Sequence, residues 1–435
     1  IRFGALMRQH INKVSQISYT LKLLYNFFIW LTEKVGLPIA GLFSGKLKKF
    51  TSGRKGLFQQ IASREVSKHQ VIWFHAASLG EYEQGLPIME AVKQRYPNYK
   101  LLVTFFSPSG YEVKKNNSIA DFVFYLPLDT PKNAQKFIEA IQPEIALFIK
   151  YEIWPNYLNV LQQKKIPALL ISGLFREQQI YFKGYGRFLF KALRGFQHLF
   201  VQNEDSLKVL QQHQIENASV SGDTRFDRVQ LQLKKDNRLP IIEQFTQKKL
   251  TVVFGSTWPE GENLISAYIN SAENEAKYII APHQIKAEKI DALQQKIQKK
   301  CIRYSAIEEQ DLSTYDVLII DNVGLLSKIY SYASIAYVGG ALGNTGLHNI
   351  LEPAVFGMPI MIGNHFEKFP EAKTLQKLGG LTAISDPAEF KKELDKLIEN
   401  KTYRTQKGDI CRNFILENTG ATKKVINYLS EEKLL

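Results

Sequence analysis

The residue run 339–353 (GGALGNTGLHNILEP) has the residue types and spacing that favour binding of a phosphate group. It lies between two apolar runs, so the sequence predicts a strand, a glycine-rich loop, a short helix and a second strand. This layout presents backbone N–H groups and a helix N-terminus to an anion. Glu352, about one turn into the helix, is a candidate acceptor for paired ribose hydroxyls. Because many glycine-rich loops only turn the chain, the added His348–Asn349 pair favours the nucleotide-sugar half of a glycosyltransferase.

A candidate general base follows the apolar run 71–75 (VIWFH). Ser78 and Glu81 form an S-x-x-E pattern, which at a helix start is commonly a capping box. Alternatively, Glu81 is a catalytic base at the mouth of a cleft, where a helix N-terminus keeps its carboxylate ionised. Glu83 points well away from Glu81 on a helix, so Glu81 is the better candidate.

Further polar groups follow other apolar runs. Glu152, in IKYEIWPN, either faces the same cleft or forms a surface ion pair before a helix. Ser256 and Thr257 either donate hydroxyls to a phosphate or cap a helix. His283, after Pro282, is a candidate anion contact or base, although a lone histidine is more often structural. The DNVG segment, 321–324, offers another helix start.

The elements that must position these groups alternate between strand-like and helix-like patterns from residue 71 onward. Strands are predicted at 71–75, 101–105, 122–126, 145–149, 168–171, 198–201, 250–255, 278–281, 317–321, 335–338 and 359–362. This alternation predicts an α/β fold with two doubly wound, Rossmann-like domains that face a cleft, with ligands at the carboxyl ends of the strands.

The length of 435 residues fits two domains of ordinary size. We predict a membrane-associating segment at 1–55, an acceptor-binding and catalytic domain at 56–222, a polar linker at 223–240 and a nucleotide-sugar domain at 241–435. The last helix is allowed to cross back to the N-terminal domain.

Composition excludes several protein classes. A hydrophobic content of 45% and a charged content of 23% describe a folded globular chain, neither disordered nor multi-spanning. Two cysteines give no disulfide framework and no metal-ligand spacing. The net charge of +14 is concentrated near the N-terminus, where Glu33 is the single acidic residue in the first 60. Charge alone does not distinguish a nucleic acid from an anionic membrane as the partner.

The apolar residues that accompany these basic residues in the sequence favour a membrane as the partner. Residues 17–31 (ISYTLKLLYNFFIWL) have helical apolar spacing but fall short of the roughly 20 residues that a spanning helix needs. We expect a helix lying in the membrane interface, with the basic cluster 46–55 against anionic headgroups. The alternative is a helix packed on the domain core. No nucleic-acid partner is expected.

Taken together, these motifs resemble the 3-deoxy-D-manno-oct-2-ulosonic acid (Kdo) transferases over nearly the whole chain. The resemblance rests on HAASLGE with Glu81, YEIWPN with Glu152, GSTW, the DNVG segment and GG-x5-G-x-HN-x2-EP through Glu352. It implies a GT-B fold and transfer of Kdo from CMP-Kdo to an acylated, phosphorylated disaccharide, the lipid A precursor. It also implies a peripheral location at the cytoplasmic face of the bacterial inner membrane.

The resemblance also implies roles for single residues. Glu81 would be the catalytic base in an inverting displacement, with Glu152 and Ser78 on the acceptor side or near the transition state. No cofactor or metal is expected, because CMP is already a phosphodiester leaving group. The donor would contact Ser256, Thr257, Pro282, His283, Asn322, Gly324, Leu326, Gly340, Gly346, His348, Asn349 and Glu352.

The chain departs from the family pattern after Pro282, where His283-Gln284-Ile285 stands in place of the usual Arg-His-Pro. We expect His283 to replace the arginine contact to the donor. Two rival functions remain. One is a GT-B enzyme that transfers or epimerises a UDP-sugar, and the other is a basic membrane-surface adaptor, which leaves the cleft motifs without a purpose.

Overall fold

The computed structural model of the protein describes residues 19–343 and 345–435. Predictions that concern residues 1–18, including the first part of the 1–55 segment and the start of the apolar run 17–31, lie outside the described residues. Asn344 of the glycine-rich run lies outside them too.

In the described residues the strands are β1 Val71–Ala76, β2 Lys100–Phe105, β3 Phe122–Tyr125, β4 Pro143–Ile149, β5 Ala168–Gly173, β6 His198–Val201, β7 Ala218–Val220, β8 Thr251–Thr257, β9 Lys277–Pro282, β10 Cys301–Arg303, β11 Val317–Ile319, β12 Ile335–Val338, β13 Ile360–Gly363 and β14 Leu381–Ile384.

The α-helices are α1 (19–31), α2 Leu37–Phe43, α3 Gly45–Ser52, α4 Leu57–Ser63, α5 Leu79–Arg95, α6 Pro108–Lys114, α7 Pro131–Ile141, α8 Pro155–Gln163, α9 Arg187–Leu193, α10 Glu204–Gln212, α11 Thr224–Gln232, α12 Pro240–Thr246, α13 Pro259–Ser271, α14 Ala287–Lys296, α15 Leu326–Ile329, α16 Leu351–Val355, α17 Pro370–Leu378, α18 Pro387–Glu399, α19 Lys401–Glu417 and α20 Ala421–Glu431. A π-helical turn, Thr32–Gly36, joins α1 to α2.

The chain divides into two compact units. The first unit combines Ile1–Arg228 with Gly420–Leu435, and the second unit is Val229–Thr419. The division falls within α11, which occupies part of the predicted linker, and α20 belongs to the first unit.

Each unit is built on one parallel sheet. The strand order is β3-β2-β1-β4-β5-β6-β7 in the first unit and β10-β11-β9-β8-β12-β13-β14 in the second. The chain order therefore reverses between β1 and β4, and again between β8 and β12. At these switch points the loops after neighbouring strands leave in opposite directions, which opens a crevice at the carboxyl edge of the sheet. The predicted α/β class with two doubly wound sheets is confirmed.

The central strands are buried along most of their length because helices cover both faces of each sheet. Every residue of β1 is buried. Trp73 packs into the core on one face of the first sheet, whereas Phe74 packs into the core on the other. This explains why the central strands read as continuous apolar runs and not as alternating patterns.

Helix α1 has one face bonded to the first unit and one bare apolar face. On the bonded face, the Tyr25 hydroxyl donates to Asp129 Oδ2 at 2.8 Å, and Asn156 Nδ2 donates to Asn26 Oδ1 at 2.8 Å. Asp129 is fully buried, and burial raises its pKa to about 6. The helix therefore has features of both alternatives that the sequence left open.

The bare face is formed by bulky apolar side chains of α1 and α2 that are about half exposed or more: Leu23, Leu24, Phe27, Phe28, Trp30, Ile39, Leu42 and Phe43. We call these residues the apolar face. None of the described helices combines the length and the apolar character that crossing a membrane requires.

The predicted basic cluster 46–55 needs one correction. Arg54 is turned inward, where its guanidinium donates to the carbonyl oxygens of Leu126 at 2.8 Å and Phe106 at 2.7 Å and stacks on the Phe50 ring. Burial lowers the pKa of Arg54 to about 10. Arg54 therefore holds α3 to the domain, and the exposed cations of this segment include Lys48, Lys49 and Lys55.

Candidate active site

Glu81 lies in the first turn of α5, directly after β1. Its Oε2 accepts hydrogen bonds from the Ser78 backbone N–H at 2.7 Å and from the Ser78 hydroxyl at 2.9 Å. This is the carboxylate half of a capping box, as the pattern predicted. Among the described residues, no donor contacts the other oxygen, Oε1. The capping contact thus leaves half of the carboxylate available for chemistry.

The electrostatic surroundings of Glu81 favour its protonated form. Burial raises the pKa of Glu81, and the negative charge of Glu152 raises it further, against the opposing effect of the Ser78 hydrogen bonds and of His75. A carboxylate with a raised pKa is a stronger base once it is ionised. Glu81 therefore combines a fixed orientation with increased basicity.

Glu152 follows β4 and is nearly buried, with 9% of its surface exposed. Its Oε2 accepts hydrogen bonds from Trp154 Nε1 at 2.7 Å and from His75 Nε2 at 3.1 Å. The alternative of a surface ion pair is therefore wrong. Glu152 is held inside the site, close enough to Glu81 for their charges to interact.

Topology explains why two residues 71 positions apart in sequence meet. Strand β1 pairs with β4 in parallel register, with His75 opposite Phe148, so the loops that carry Glu81 and Glu152 leave the same edge of the sheet side by side. This edge is the switch point of the first sheet. Such switch points are where open α/β sheets bind their ligands.

Backbone strain is found at several of the same strand ends. Lys150, Ser172 and Ser256 adopt left-handed backbone angles, with φ of 70°, 54° and 51°. Residues other than glycine occupy this region at a cost of about 1–3 kcal/mol each, and they cluster at functional sites. Lys150 directly precedes YEIWPN, and Ser256 lies within GSTW, two of the motifs that the sequence singled out.

In the second unit, the glycine-rich loop folds back on itself beside the switch point between β8 and β12. Gly340 has a φ of 103°, and a Cβ atom there would overlap the carbonyl oxygen of Gly346. The His348 N–H closes the loop by donating to the Gly339 carbonyl at 3.2 Å. The glycines at 340 and 346 are thus needed for the loop to close.

Three aromatic rings from three loops meet at this switch point. The ring centroids of Trp258 and His283 lie 4.5 Å apart, and those of His283 and His348 lie 4.4 Å apart. Trp258 Nε1 donates to His348 Nε2 at 3.1 Å. Burial, and then the neighbouring His283, lower the pKa of His348. His283 is therefore not a lone histidine but one of a pair.

The hydroxyls at 256 and 257 differ in their surroundings. Thr257 is buried, and its hydroxyl donates to Glu262 Oε1 at 3.1 Å, while its carbonyl accepts from the His283 N–H at 2.9 Å. Ser256 is half-buried beside it. The N-cap of α13 is Trp258, with no side-chain cap, so the alternative that either hydroxyl caps this helix is wrong. Pro282 ends β9 and aims His283 toward Trp258.

The remaining residues that were predicted to contact the sugar-nucleotide donor are less closely grouped. Asn349 Nδ2 donates to Glu352 Oε1 at 3.2 Å, and Glu352 lies in the first turn of the five-residue α16, earlier in the helix than expected. Leu326 packs beneath Gly255 of β8. Gly324, with a φ of 91°, turns the chain after β11. No hydrogen bond within the described ranges joins Asn322 to the other predicted residues.

Sequence reasoning missed His75, Trp154 and Trp258 as parts of the site. These residues lie in the motifs HAASLGE, YEIWPN and GSTW. From the sequence, however, His75 resembles one more residue of a buried strand, and the two tryptophans resemble core aromatic residues. The available signal was their position at the carboxyl ends of strands, where polar or N–H-bearing side chains face the crevice.

Comparisons with known proteins agree with this geometry. Residues 51–228 match the family model described as 3-Deoxy-D-manno-octulosonic-acid transferase (kdotransferase). The 3-deoxy-D-manno-octulosonic acid transferase of Haemophilus influenzae is 24% identical over 419 residues, which cover 93% of this chain and 97% of the relative. The Aquifex aeolicus transferase of the same name is 26% identical over 336 residues, covering 76% and 86%.

A solved structure supports the fold. The UDP-GlcNAc 2-epimerase from Neisseria meningitidis bound to UDP-GlcNAc superposes with a TM-score of 0.60 at 16% identity, covering 83% of this chain and 100% of that one. The predicted family resemblance, GT-B fold and enzyme class are confirmed. The chain is an enzyme of the GT-B fold, a glycosyltransferase related to the Kdo transferases.

Proposed function

We propose that this enzyme transfers Kdo from CMP-Kdo to a hydroxyl of a lipid A precursor, with inversion at the anomeric carbon. The proposal rests on one observation above the others. Glu81, a half-buried carboxylate whose pKa is raised and whose Oε1 accepts no hydrogen bond from the described residues, lies at the switch point of the first sheet. The family match covers the same residues.

In the proposed reaction, Glu81 Oε1 accepts the proton of the acceptor hydroxyl. The hydroxyl oxygen bonds to the anomeric carbon of Kdo while the bond from that carbon to the phosphate oxygen breaks, and CMP leaves with the electron pair. Ser78 keeps the carboxylate oriented through Oε2. The transition state has oxocarbenium character, so the negative charge of Glu152 nearby stabilises it.

The donor would lie on the second unit. The closed loop of Gly340 and Gly346 and the His283–His348 pair offer N–H groups to the phosphate, and Glu352 accepts from the ribose hydroxyls. His283 takes the place of a cationic donor contact in this proposal. Because CMP leaves as a stable phosphate, we propose that no metal takes part, and full activity in excess EDTA is expected.

We also propose that the enzyme works at the cytoplasmic face of the bacterial inner membrane. Support comes from the apolar face, whose bulky side chains are about half exposed or more, and from Lys48, Lys49 and Lys55, which follow it in the chain and are exposed. Such a surface suits an anionic lipid acceptor in an anionic bilayer, because each cation near the surface contributes about 1 kcal/mol.

The test is incubation with CMP-Kdo and a tetra-acylated, phosphorylated disaccharide, read by mass spectrometry. Glu81→Gln keeps the size of the side chain and its hydrogen-bond acceptor but removes the base, so transfer should fall about 10²–10⁴-fold. Glu90→Gln, further along the same helix, is the matched control and should keep wild-type activity. CMP binding should change little in both variants, and neither variant should unfold at a lower temperature than the wild type.

Two outcomes would contradict the proposal. Full transfer by Glu81→Gln would remove Glu81 as the base and leave it as a cap. Protection against thermal unfolding by UDP-sugars, but not by CMP or CMP-Kdo, would favour the rival donor.

A further inference from the structure

We propose that His75, which nothing so far assigns to the reaction, is a positioning residue that fixes the Glu152 carboxylate beside Glu81. The inference rests on the proposed function, because it concerns the same two carboxylates. It starts from a chain of hydrogen bonds that runs through the interior of the first sheet and ends in the candidate site.

The chain begins at Trp73 Nε1, which donates to Thr104 Oγ1 at 2.8 Å. Thr104 Oγ1 lies 2.8 Å from His75 Nδ1, and His75 Nε2 lies 3.1 Å from Glu152 Oε2. Trp73, His75 and Thr104 are completely buried. Their side chains project from the neighbouring strands β1 and β2, so the sheet itself sets their spacing.

This network assigns the proton on His75. The Thr104 hydroxyl has one hydrogen, and its oxygen already accepts the Trp73 N–H. The hydroxyl hydrogen can reach either His75 Nδ1 at 2.8 Å or the Phe74 carbonyl at 3.5 Å, and we infer that it goes to the nearer acceptor, His75 Nδ1. On this assignment the ring is neutral, with its hydrogen on Nε2. That hydrogen points to Glu152.

Two donors, His75 and Trp154, thus bind the same oxygen of Glu152. Within the part of the chain that the structure describes, no donor contacts Glu152 Oε1. The His75 ring is wedged edge-on between Phe148 and Trp154, each at a centroid distance of 5.9 Å, which prevents it from turning away. A neutral histidine therefore orients the carboxylate and leaves its negative charge uncompensated.

The uncompensated charge acts on Glu81. Glu152 is the second-largest cause, after burial, of the raised pKa of Glu81. If His75 is replaced by an apolar residue, Glu152 loses one of its two donors and is free to turn. The Glu152 charge then raises the pKa of Glu81 less, and its stabilisation of the transition state weakens. The opposing effect of His75, the smallest of the causes, requires a charged ring and is absent when the ring is neutral.

Other titratable groups around Glu81 and Glu152 are not expected to shift the acid limb of the pH–rate profile. Tyr151 and Tyr181 face Glu81 and Glu152, but burial raises the pKa of both, so they stay neutral near pH 7. The charges of Arg176 and Arg225 lower the pKa of Tyr151, and Asp223 is ion-paired with Arg225 at 2.7 Å. A shift in the acid limb of the pH profile therefore reports on the coupled pair of Glu81 and Glu152.

The experiment measures kcat, KM for CMP-Kdo and the midpoint of the acid limb of the pH–rate profile. His75→Leu should lower kcat on the order of 10²-fold, the effect expected of a misplaced group, and move the midpoint to lower pH with little change in KM. His75→Gln, whose amide N–H reaches the position of Nε2, should restore the midpoint. Thr104→Val should act in the same direction as His75→Leu, and Thr104→Ser, which keeps the hydroxyl, should not.

The result that overturns the inference is a folded His75→Leu enzyme with reduced stability and an unshifted pH midpoint, because that describes a purely structural histidine. A second measurement does not require activity. In ¹⁵N NMR of histidine-labelled protein, the His75 signal, identified by its loss in His75→Gln, should show a neutral ring protonated on Nε2. Protonation on Nδ1 would overturn the assignment. An inactive wild type with the expected NMR signal would refute only the proposed function.

Discussion

The apolar face gives the most direct prediction of how the enzyme meets a membrane. Phe27 is 52% exposed and Phe28 is 58% exposed, so about half of each side chain is available for burial in lipid. Full burial of a phenylalanine contributes about 1.5–3 kcal/mol, and half of that for each residue gives roughly 1.5–3 kcal/mol for the pair. The double substitution Phe27→Ser, Phe28→Ser should therefore weaken partitioning roughly 10- to 150-fold.

The assay is co-sedimentation of the full chain with sucrose-loaded vesicles that contain anionic phospholipid, over a range of lipid and salt concentrations. The control is Val323→Ser with Leu416→Ser, which changes two exposed apolar residues of the second unit, 85% and 47% exposed. The control should bind like the wild type. Replacing Lys48 and Lys49 should also weaken binding, but only at low salt, because salt screens charge and not apolar burial.

The reasoning is refuted if the Phe27, Phe28 variant keeps its unfolding temperature and still binds vesicles as tightly as the wild type. In that case the apolar face would be a contact surface for something other than lipid. Loss of stability alone would not account for weaker binding, because Phe27 and Phe28 are on the bare side of α1, opposite the hydrogen-bonded Tyr25 and Asn26.

Two further predictions concern the candidate site residues Glu352 and Glu81, and a third concerns the contact between Tyr25 and Asp129. Glu352→Gln should weaken CMP binding by about one to two decades, the equivalent of roughly 1.5–3 kcal/mol for a hydrogen bond to a charged group. Unchanged CMP affinity by calorimetry would place the ribose elsewhere. Glu367→Gln is the control variant. Because the pKa of Glu81 is raised in the folded state, ionisation of Glu81 disfavours folding, and Glu81→Gln should keep or raise the unfolding temperature at pH 7. That difference should shrink as the pH falls and vanish below about pH 3, where the carboxyl is protonated in both states. A lower unfolding temperature at pH 7 would contradict the sign. Tyr25→Phe should reduce the free energy of unfolding by roughly 1.5–3 kcal/mol, because it removes the shortest of the three hydrogen bonds that the buried Asp129 carboxylate accepts from Tyr25, Asn156 and Tyr157. An unchanged denaturation midpoint in urea would show that this contact contributes nothing.

The central strands could be predicted from the sequence, and three of the four outermost strands could not. Strands β1, β4, β8 and β12 are mostly buried, so each contains an apolar run. The missed strands β7, β10 and β14 each lie at the edge of a sheet, have three or four residues and are only partly buried. Their pairing depends on the neighbouring strand already being in place, which no local pattern records.

Helix α11 was missed for a different reason. Its sequence, TRFDRVQLQ, is mostly polar and was interpreted as linker, yet Phe226 and Val229, three residues apart, are buried. Two apolar positions on one turn are enough for a helix that tertiary packing supports, but they are too few to stand out in a charged stretch.

The candidate site shows the same division between local and distant information. Ser78 and Glu81 are three residues apart, so their contact could be predicted from the S-x-x-E pattern. The contact between His75 and Glu152 spans 77 residues and exists only because β1 and β4 are neighbours. The pairing of His283 with His348 and Trp258 likewise requires three loops from one sheet, and a single sequence offers no signal for their convergence.

The hydrogen bonds that hold α1 to the first unit have a practical consequence for anyone who seeks a soluble form of this enzyme. Asp129 accepts the backbone N–H groups of Asn156 and Tyr157, and so caps α8, the helix that starts just after Glu152, in addition to accepting the Tyr25 hydroxyl. Deleting the N-terminal segment would open this buried carboxylate to water, a few residues from the candidate site. Replacing the outward apolar residues while keeping Tyr25 and Asn26 should give soluble protein with an undisturbed interior, so surface redesign is preferable to truncation.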